Sequence, residues 1–493
     1  MVFDKLRLKK RASSIPDAGP VAELGKEPST KQIYQSRENF GVCFGSSFVL
    51  ERWIFDDLFS ETNGETEYDA VSSLVSKFGA DQARTKFENH WKNYINDDDW
   101  NWLSSHQVKS IRLPIGYWDV DGGSFAKGYD FEKFASVYSN AWSIIKQNYI
   151  EPAANYQISI LIDVHALPAG GANSNAHSGI PNANGGFFKD TSAQINMAKM
   201  MGWIANDLKN YDNIAGIQVV NEAEFDESTK APSTYYGAAI SEIRKYDDSI
   251  PVYISDGWWP DQWAKWVQSE QGSDGYIGVV VDDHVYRCFS DSDKSKSADQ
   301  IINDLNGDVL TNISDNSNGV DFIVGEYSCV LDQQTWDKGG NRDELVKKFG
   351  NTQSQLFDQR ASGSYFWTFK FQSGNGGEWD FKTMTNAGAI IPPQQVNSPN
   401  QNEFQQKLNE AYNNHVNYWK SQGGSYDFDR FKAGYTQAFT DGATFSKFNS
   451  RLGRRQAWKR SRSNDYVQSK GNSNNQWEYD QGFDEGLKDY YGY

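Results

Sequence analysis

The stretch IAGIQVVNEAEF, residues 214–225, is an apolar run ending in two polar residues, Asn221 and Glu222. Continuous Ile and Val is the pattern of a strand buried on both faces, as in a parallel sheet. A carboxylate is costly in such surroundings unless it is paired or put to use. Seven further runs have the same character: FGVCFGSSFVL (40–50), SIRLPIGYW (110–118), ISILIDVHAL (158–167), PVYISDGWW (251–259), IGVVVDDHVY (277–286), DFIVGEYSCV (321–330) and GSYFWTFKF (363–371). Segments with helical character lie between them, among them DDDWNWLSSHQ (97–107), FEKFASVYSNAWSIIKQNY (131–149) and SAQINMAKMMGWIANDLKNY (192–211). Eight strand–helix repeats predict an α/β fold, the (β/α)8 TIM barrel. A doubly wound open sheet is the alternative, but no GxGxxG opens a helix after a first strand.

In such a barrel the strands deliver functional groups at their carboxyl ends. The polar residues that break these runs fall there: Arg112, His165, Asn221 with Glu222, His284 with Tyr286, Glu326 and Trp367. Packing alone does not predict this clustering. The organisation reads as a polar, disordered or loosely draped arm over 1–35, a barrel over 36–440 and a polar C-terminal extension over 441–493. The helical segment 403–422 is a candidate last barrel helix. FKAGYTQAFTDG (431–442) and YDQGFDEGLKDY (479–490) share an aromatic-x-x-Gly-aromatic spacing.

Glu222 and Glu326 both follow buried runs and are expected to converge on one substrate. Paired carboxylates are what glycoside hydrolysis requires: one protonates the leaving oxygen, the other attacks the sugar carbon. A single glutamate in this context is as readily a strand cap or a partner for an arginine; the pair shifts the reading to catalysis. Surplus aromatics, 15% of the chain with 17 Trp, fit clefts that stack on sugar rings as well as packing between helices. A net charge of −17 argues against a nucleic-acid partner. The basic clusters at 5–11 and 451–462 read as solvated, flexible faces. No run is long and apolar enough for a transmembrane helix. Three cysteines without metal-ligand spacing, and a start without an apolar leader, predict a cytoplasmic protein. No metal or organic cofactor is expected. His90, His106, His177 and His415 fall in expected helices or loops and receive no chemistry.

Taken together, FGVCFGSSFVLERW, HWKNYINDDDW, IRLPIGYW, IDVHALPAG, VVNEAEF, VVVDDHVYRCFS, VGEYS and FWTFKFQSGNGGEWDF resemble, in order and spacing, glycoside hydrolase family 5 and its fungal exo-1,3-β-glucanase branch. The resemblance implies a retaining, exo-acting β-glucosidase with Glu222 as acid/base and Glu326 as nucleophile. It implies that Asn221 binds the sugar 2-hydroxyl and that Arg112 keeps Glu326 ionised. His284 and Tyr286 would hydrogen-bond the two carboxyls. Glu51, Asp163 and His165 would close around the terminal sugar, and Trp367 would form its floor. The negative charge of Glu326 is expected to raise the pKa of Glu222.

The chain also departs from the family pattern. Ala223 replaces the usual proline of Asn-Glu-Pro, Asp283 and Val285 flank a single His284, and Ser46–Ser47 and LPAGGANSNAHSGIPN (167–182) replace the branch's loops. These positions border the aglycone side, so the expected substrate is an intracellular β-glucoside or oligosaccharide. A non-catalytic carbohydrate- or protein-binding barrel is the alternative.

Overall fold

The eight runs become eight parallel strands. The structure, a computed structural model, describes residues 14–272, 275–311, 319–395 and 398–493. The strands β1 (Asn39–Cys43), β2 (Ser110–Gly116), β3 (Ser159–Ala166), β4 (Ile214–Gln218), β5 (Val252–Ser255), β6 (Val279–Val285), β7 (Asp321–Tyr327) and β8 (Gly363–Phe366) pair in chain order. β8 pairs with β1 and closes the barrel. Successive side chains of a strand point to opposite faces. Accordingly, Val42, Ile160, Ile162, Val252, Ile254, Val279 and Val281 pack outward on the helices. Cys43, Leu161, Tyr253, Val280, Ile323 and Tyr365 fill the barrel interior.

Arg112, His165, His284 and Glu326 lie within β2, β3, β6 and β7, whereas β4 and β8 stop short of the polar residues expected at their tips. β4 ends at Gln218, before Asn221 and Glu222, and β8 ends before Trp367. The segment 131–149 is not one helix. It splits into a 3-10 turn at Glu132–Phe134, a short helix at Ala141–Ile144 and a π-turn at Ile145–Ile150, followed by a helix from Glu151. Pro152 accounts for the π-turn: it has no N–H to donate, and its ring crowds the carbonyl one turn back, which the wider turn accommodates.

Among the described residues, the segments 14–36 and 441–493 make more contacts with the rest of the chain than the sequence implies. Ala18 N–H donates to Tyr276 O at 2.6 Å and Gly19 N–H to Asp248 O at 2.8 Å, so the arm lies along the barrel. A helix at Thr30–Ser36 follows, closed by a capping box between Ser29 and Gln32. The basic stretch 5–11 lies outside the described residues. The other basic stretch is not a solvated face. Arg451 pairs with Glu38 at 3.2 Å and Asp358 at 3.0 Å, and Arg462 with Asp441 at 2.8 Å.

The expected boundary at 440 falls inside the Phe428–Lys447 helix. This helix packs on Gln476–Tyr491 with an aromatic core of Phe431, Tyr435, Phe439, Phe483 and Tyr490. The shared glycine spacing is the contact between them. A Cβ on Gly434 would stand 2.0 Å from Tyr479 O, and one on Gly482 2.0 Å from Phe431 O. Among the described residues no helix is long and apolar enough to cross a membrane. Gly434→Ala is expected to destabilise this helix pair by about 1–3 kcal/mol through overpacking against backbone. Denaturant unfolding checks it; an unchanged midpoint would contradict the close approach.

Candidate active site

Arg112 sits on β2 inside the barrel with no solvent exposure of its side chain. Its Nη1 donates to Glu326 Oε1 at 2.9 Å, Nη2 to Asn221 Oδ1 at 2.7 Å and Nε to Gln218 Oε1 at 3.0 Å. Nη2 also lies 3.1 Å from Asp163 Oδ2 and 3.7 Å from Asp282 Oδ2. Burial alone would lower the pKa of Arg112, but Asp163, Glu326 and their neighbours outweigh it and raise it. Burial likewise pushes Asp163 up, and Arg112 with His165 brings it below 3.8. The second oxygen of Glu326 accepts from Tyr286 Oη at 2.8 Å. Burial, then Glu326, push that phenol's pKa up.

Glu222 is held differently. Its backbone has φ +45°, a left-handed conformation that side chains other than glycine adopt at a cost. Three bonds hold the turn: Asn173 Nδ2 to Glu222 O at 3.0 Å, Ala223 N–H to Ser255 Oγ at 3.1 Å, and Glu224 N–H to Ala172 O at 3.2 Å. A proline at 223 has no N–H, so the departure from the family pattern supplies a hydrogen bond. On the side chain, His284 Nδ1 meets Oε1 at 2.9 Å and His177 Nε2 meets Oε2 at 3.0 Å. The same Nδ1 of His284 is 3.6 Å from Glu326 Oε2, while its Nε2 meets Asp282 Oδ2 at 3.0 Å. One carboxylate oxygen of Glu222 lies within 4.8 Å of one of Glu326.

Here the electrostatics overturn an expectation. Burial raises the pKa of Glu222, but the hydrogen bonds and charges of His177 and His284 outweigh it, and the pKa falls well below 4.5. The same contacts favour the charged form of the two histidines. Burial would lower His177, yet Glu222, Glu51 and Glu326 raise it to about 9. His284 is raised well above 6.5 against burial, chiefly by Glu326 and Asp282. Counting Glu326 alone gave the wrong sign because two cationic rings lie nearer.

Beside the carboxyl pair, His165 Nδ1 meets Asp163 Oδ2 at 2.7 Å, and its Nε2 lies 3.3 Å from Asn221 Nδ2. Its ring stacks parallel to that of Trp367, 5.8 Å between centroids. Glu51 Oε2 is buried without a hydrogen-bond partner, and burial pushes the Glu51 carboxyl up to about 8. The structure therefore gathers every residue singled out in the sequence at one end of the barrel. It adds Gln218, Asp282, Asn173 and His177. Asp282 was readable, since it shares a strand face with His284. His177 lies in a loop and carried no signal beyond belonging to the divergent segment 167–182. Glu51, His165 and His177, and likewise Glu222, His284 and Glu326, bring one ligand-type atom each within 4.8 Å. In the second set His284 pairs with both carboxyls, and in the first His177 pairs with Glu51 at 3.8 Å while His165 is held by Asp163; we read them as acid–base and binding groups.

An aromatic rim surrounds the mouth. Trp53 faces Trp379 at 5.5 Å, Tyr286 faces Trp379 at 5.8 Å and Phe289 at 5.5 Å, and Trp258 stands edge-on to His284 at 6.3 Å. Trp53, Trp258, Trp259, Phe225 and Phe289 are all exposed.

Relatives share both the chain and its ending. The chain is 38% identical over 494 residues to an uncharacterized glycosyl hydrolase of Saccharomyces cerevisiae, covering 98% of this chain and 96% of that protein. It is 32% identical over 457 residues to glucan 1,3-beta-glucosidase 3 of Schizosaccharomyces pombe, covering 92% and 95%. The glucan 1,3-beta-glucosidase 3 C-terminal domain family matches residues 400–493. The chain belongs to glycoside hydrolase family 5. The crystal structure of a rutinosidase from Aspergillus niger has the same barrel, with TM-score 0.57, 18% identity and coverage of 73% of this chain and 99% of that one. In this family 5 glycoside hydrolase the helices from residue 400 onward are thus a domain shared with relatives.

Removing the buried guanidinium leaves the carboxylates around it unpaired, which costs about 3–5 kcal/mol. Arg112→Met in this family 5 enzyme is therefore expected to lower stability by that amount. Equilibrium unfolding in urea measures it; a loss below about 1 kcal/mol would show that the carboxylates do not depend on Arg112.

Proposed function

We propose that this glycoside hydrolase is a retaining, exo-acting β-glucosidase, with Glu326 as nucleophile and Glu222 as acid/base. The observation that carries the proposal is the carboxyl pair, with oxygens within 4.8 Å and opposite surroundings. Retaining enzymes hold their carboxyls about 5–5.5 Å apart, and inverting ones leave room for a water. Glu326 faces a guanidinium and a phenol, which suit a carboxylate that attacks. Glu222 faces two histidines, which suit a carboxyl that trades protons.

Glucose would sit over Trp367, with Glu51, His165 and Asn221 around its hydroxyls; Asp163, expected there too, has no solvent exposure and instead holds His165 and Arg112 from behind. In the first step Glu326 Oε2 attacks C1 from below as the glycosidic bond breaks. The leaving oxygen takes a proton from the Glu222–histidine group. Tyr286 and Arg112 hold Glu326 in line. In the second step Glu222, now a base, removes a proton from the water that attacks C1. Glu326 leaves as carboxylate, and the sugar departs with its original configuration.

The name of the Schizosaccharomyces pombe relative supports a β-glucan or β-gluco-oligosaccharide as the glycone. The exposed aromatic rim supports a leaving group with an apolar face. All three cysteines, Cys43, Cys288 and Cys329, are free and buried, which supports the cytoplasm as the place of action.

Glu326→Gln is expected to abolish turnover with the fold intact, since the amide keeps the shape and loses the nucleophile. Glu222→Ala is expected to slow unactivated β-glucosides about 10²–10⁴-fold and activated aryl glucosides far less. Steady-state kinetics on both substrate classes tests the assignment. Equal losses on both by Glu222→Ala would contradict it, as would residual turnover by Glu326→Gln.

A further inference from the structure

We propose that His177 is a positioning residue for the acid/base carboxyl, the tip of a brace that the loop after β3 extends to Glu222. The inference rests on the role given to Glu222 above and adds how that residue keeps its proton.

The brace holds Glu222 by backbone and by side chain. Asn173 Nδ2 donates to Glu222 O at 3.0 Å, while Asn173 Oδ1 accepts from Asn175 N–H at 2.9 Å and Ser178 Oγ at 2.9 Å. One amide therefore ties the loop together and ties it to the turn of the acid/base. The chain then rises into the 3-10 turn Ala176–Ser178, closed by Gly179 N–H to Ala176 O at 2.9 Å. Behind it Trp118 fills the space next to Gly179, so the turn cannot fall back from the site. This sets His177 Nε2 3.0 Å from Glu222 Oε2 and Nδ1 3.8 Å from Glu51 Oε1.

The charged and titratable groups facing the ring are Glu222 from the β4 loop, Glu51 from the β1 loop, Glu326 at 5% exposure on β7, and the His165 ring at 5.1 Å. Three carboxyls against one neighbouring imidazole favour the protonated ring. In the first chemical step the proton moves from His177 Nε2 to Glu222 and from Glu222 to the glycosidic oxygen. His177 is left neutral and Glu222 a carboxylate. In the second step Glu222 takes a proton from the attacking water and the pair returns to its starting state. Without the ring, the proton is left to the carboxyl and to His284 Nδ1, 2.9 Å from its other oxygen, and with one of the two imidazoles gone it is released at lower pH.

The test uses the full chain with His177→Gln, and His177→Asn as a second variant, both checked for folding by thermal unfolding. Because the carboxyls facing His177 raise it to about 9, kcat/KM of the wild type is expected to fall only above about that pH. In both variants this alkaline limb is expected about one unit or more lower. With phenyl β-glucoside kcat is expected to fall about 10- to 100-fold, and with 2,4-dinitrophenyl β-glucoside less than about threefold. An unmoved limb with equal losses on the two substrates would reduce His177 to a packing or sugar-binding residue and overturn the inference. Absence of any β-glucosidase activity in the wild-type chain would instead overturn the proposed function, and this inference with it.

Discussion

The structure depends on one buried cation. The Arg112 guanidinium, without solvent exposure, faces Glu326 at 2.9 Å and Asp163 at 3.1 Å, with Asp282 at 3.7 Å. An unpaired ion of this kind costs several kcal/mol in a protein interior, and removing one partner strands the others. The strands must therefore close in a register that brings β2, β3, β6 and β7 to a single point. Arg112 does not exchange its proton, so it presents a fixed cation to the carboxylates around it, while the neighbouring histidines can trade protons.

Two kinds of electrostatic surroundings follow from this arrangement. Around Arg112 the charges are fixed. Around Glu222 they are exchangeable, because imidazoles stand on either side of it at 2.9 Å and 3.0 Å. A double displacement needs both: a carboxylate that stays ionised to attack, and a proton store that empties and refills within one turnover. The strained turn at Glu222, φ +45°, aims the carboxyl between His177 and His284. The bonds from Asn173 and Ser255 to the residues of this turn offset that strain.

The barrel was legible because buried parallel strands write themselves as unbroken Val and Ile runs, and a polar residue inside such a run needs a reason. Arg112, His165, Glu326 and His284 were readable on those grounds. Strand ends were less so, because at Asn221–Glu222 and Trp367 the backbone leaves the ladder while the side chains remain buried. The sign of the Glu222 shift was hidden, since it depends on His177, which reaches the site through a loop whose path no local pattern encodes. The order of the termini was hidden too. The basic cluster 451–462 suggested a solvated face, but Arg451 and Arg462 are buried by pairing, and the small Gly434 and Gly482 allow two helices to pack backbone to backbone.

The central claim is that Glu326 and Glu222 work as a retaining pair. The anomeric configuration of the first-formed sugar tests it most directly, followed by proton nuclear magnetic resonance during hydrolysis of an aryl β-glucoside. The account predicts that β-glucose appears first and that the α-anomer grows in only by mutarotation. Initial release of α-glucose would show a single inverting displacement and contradict the account.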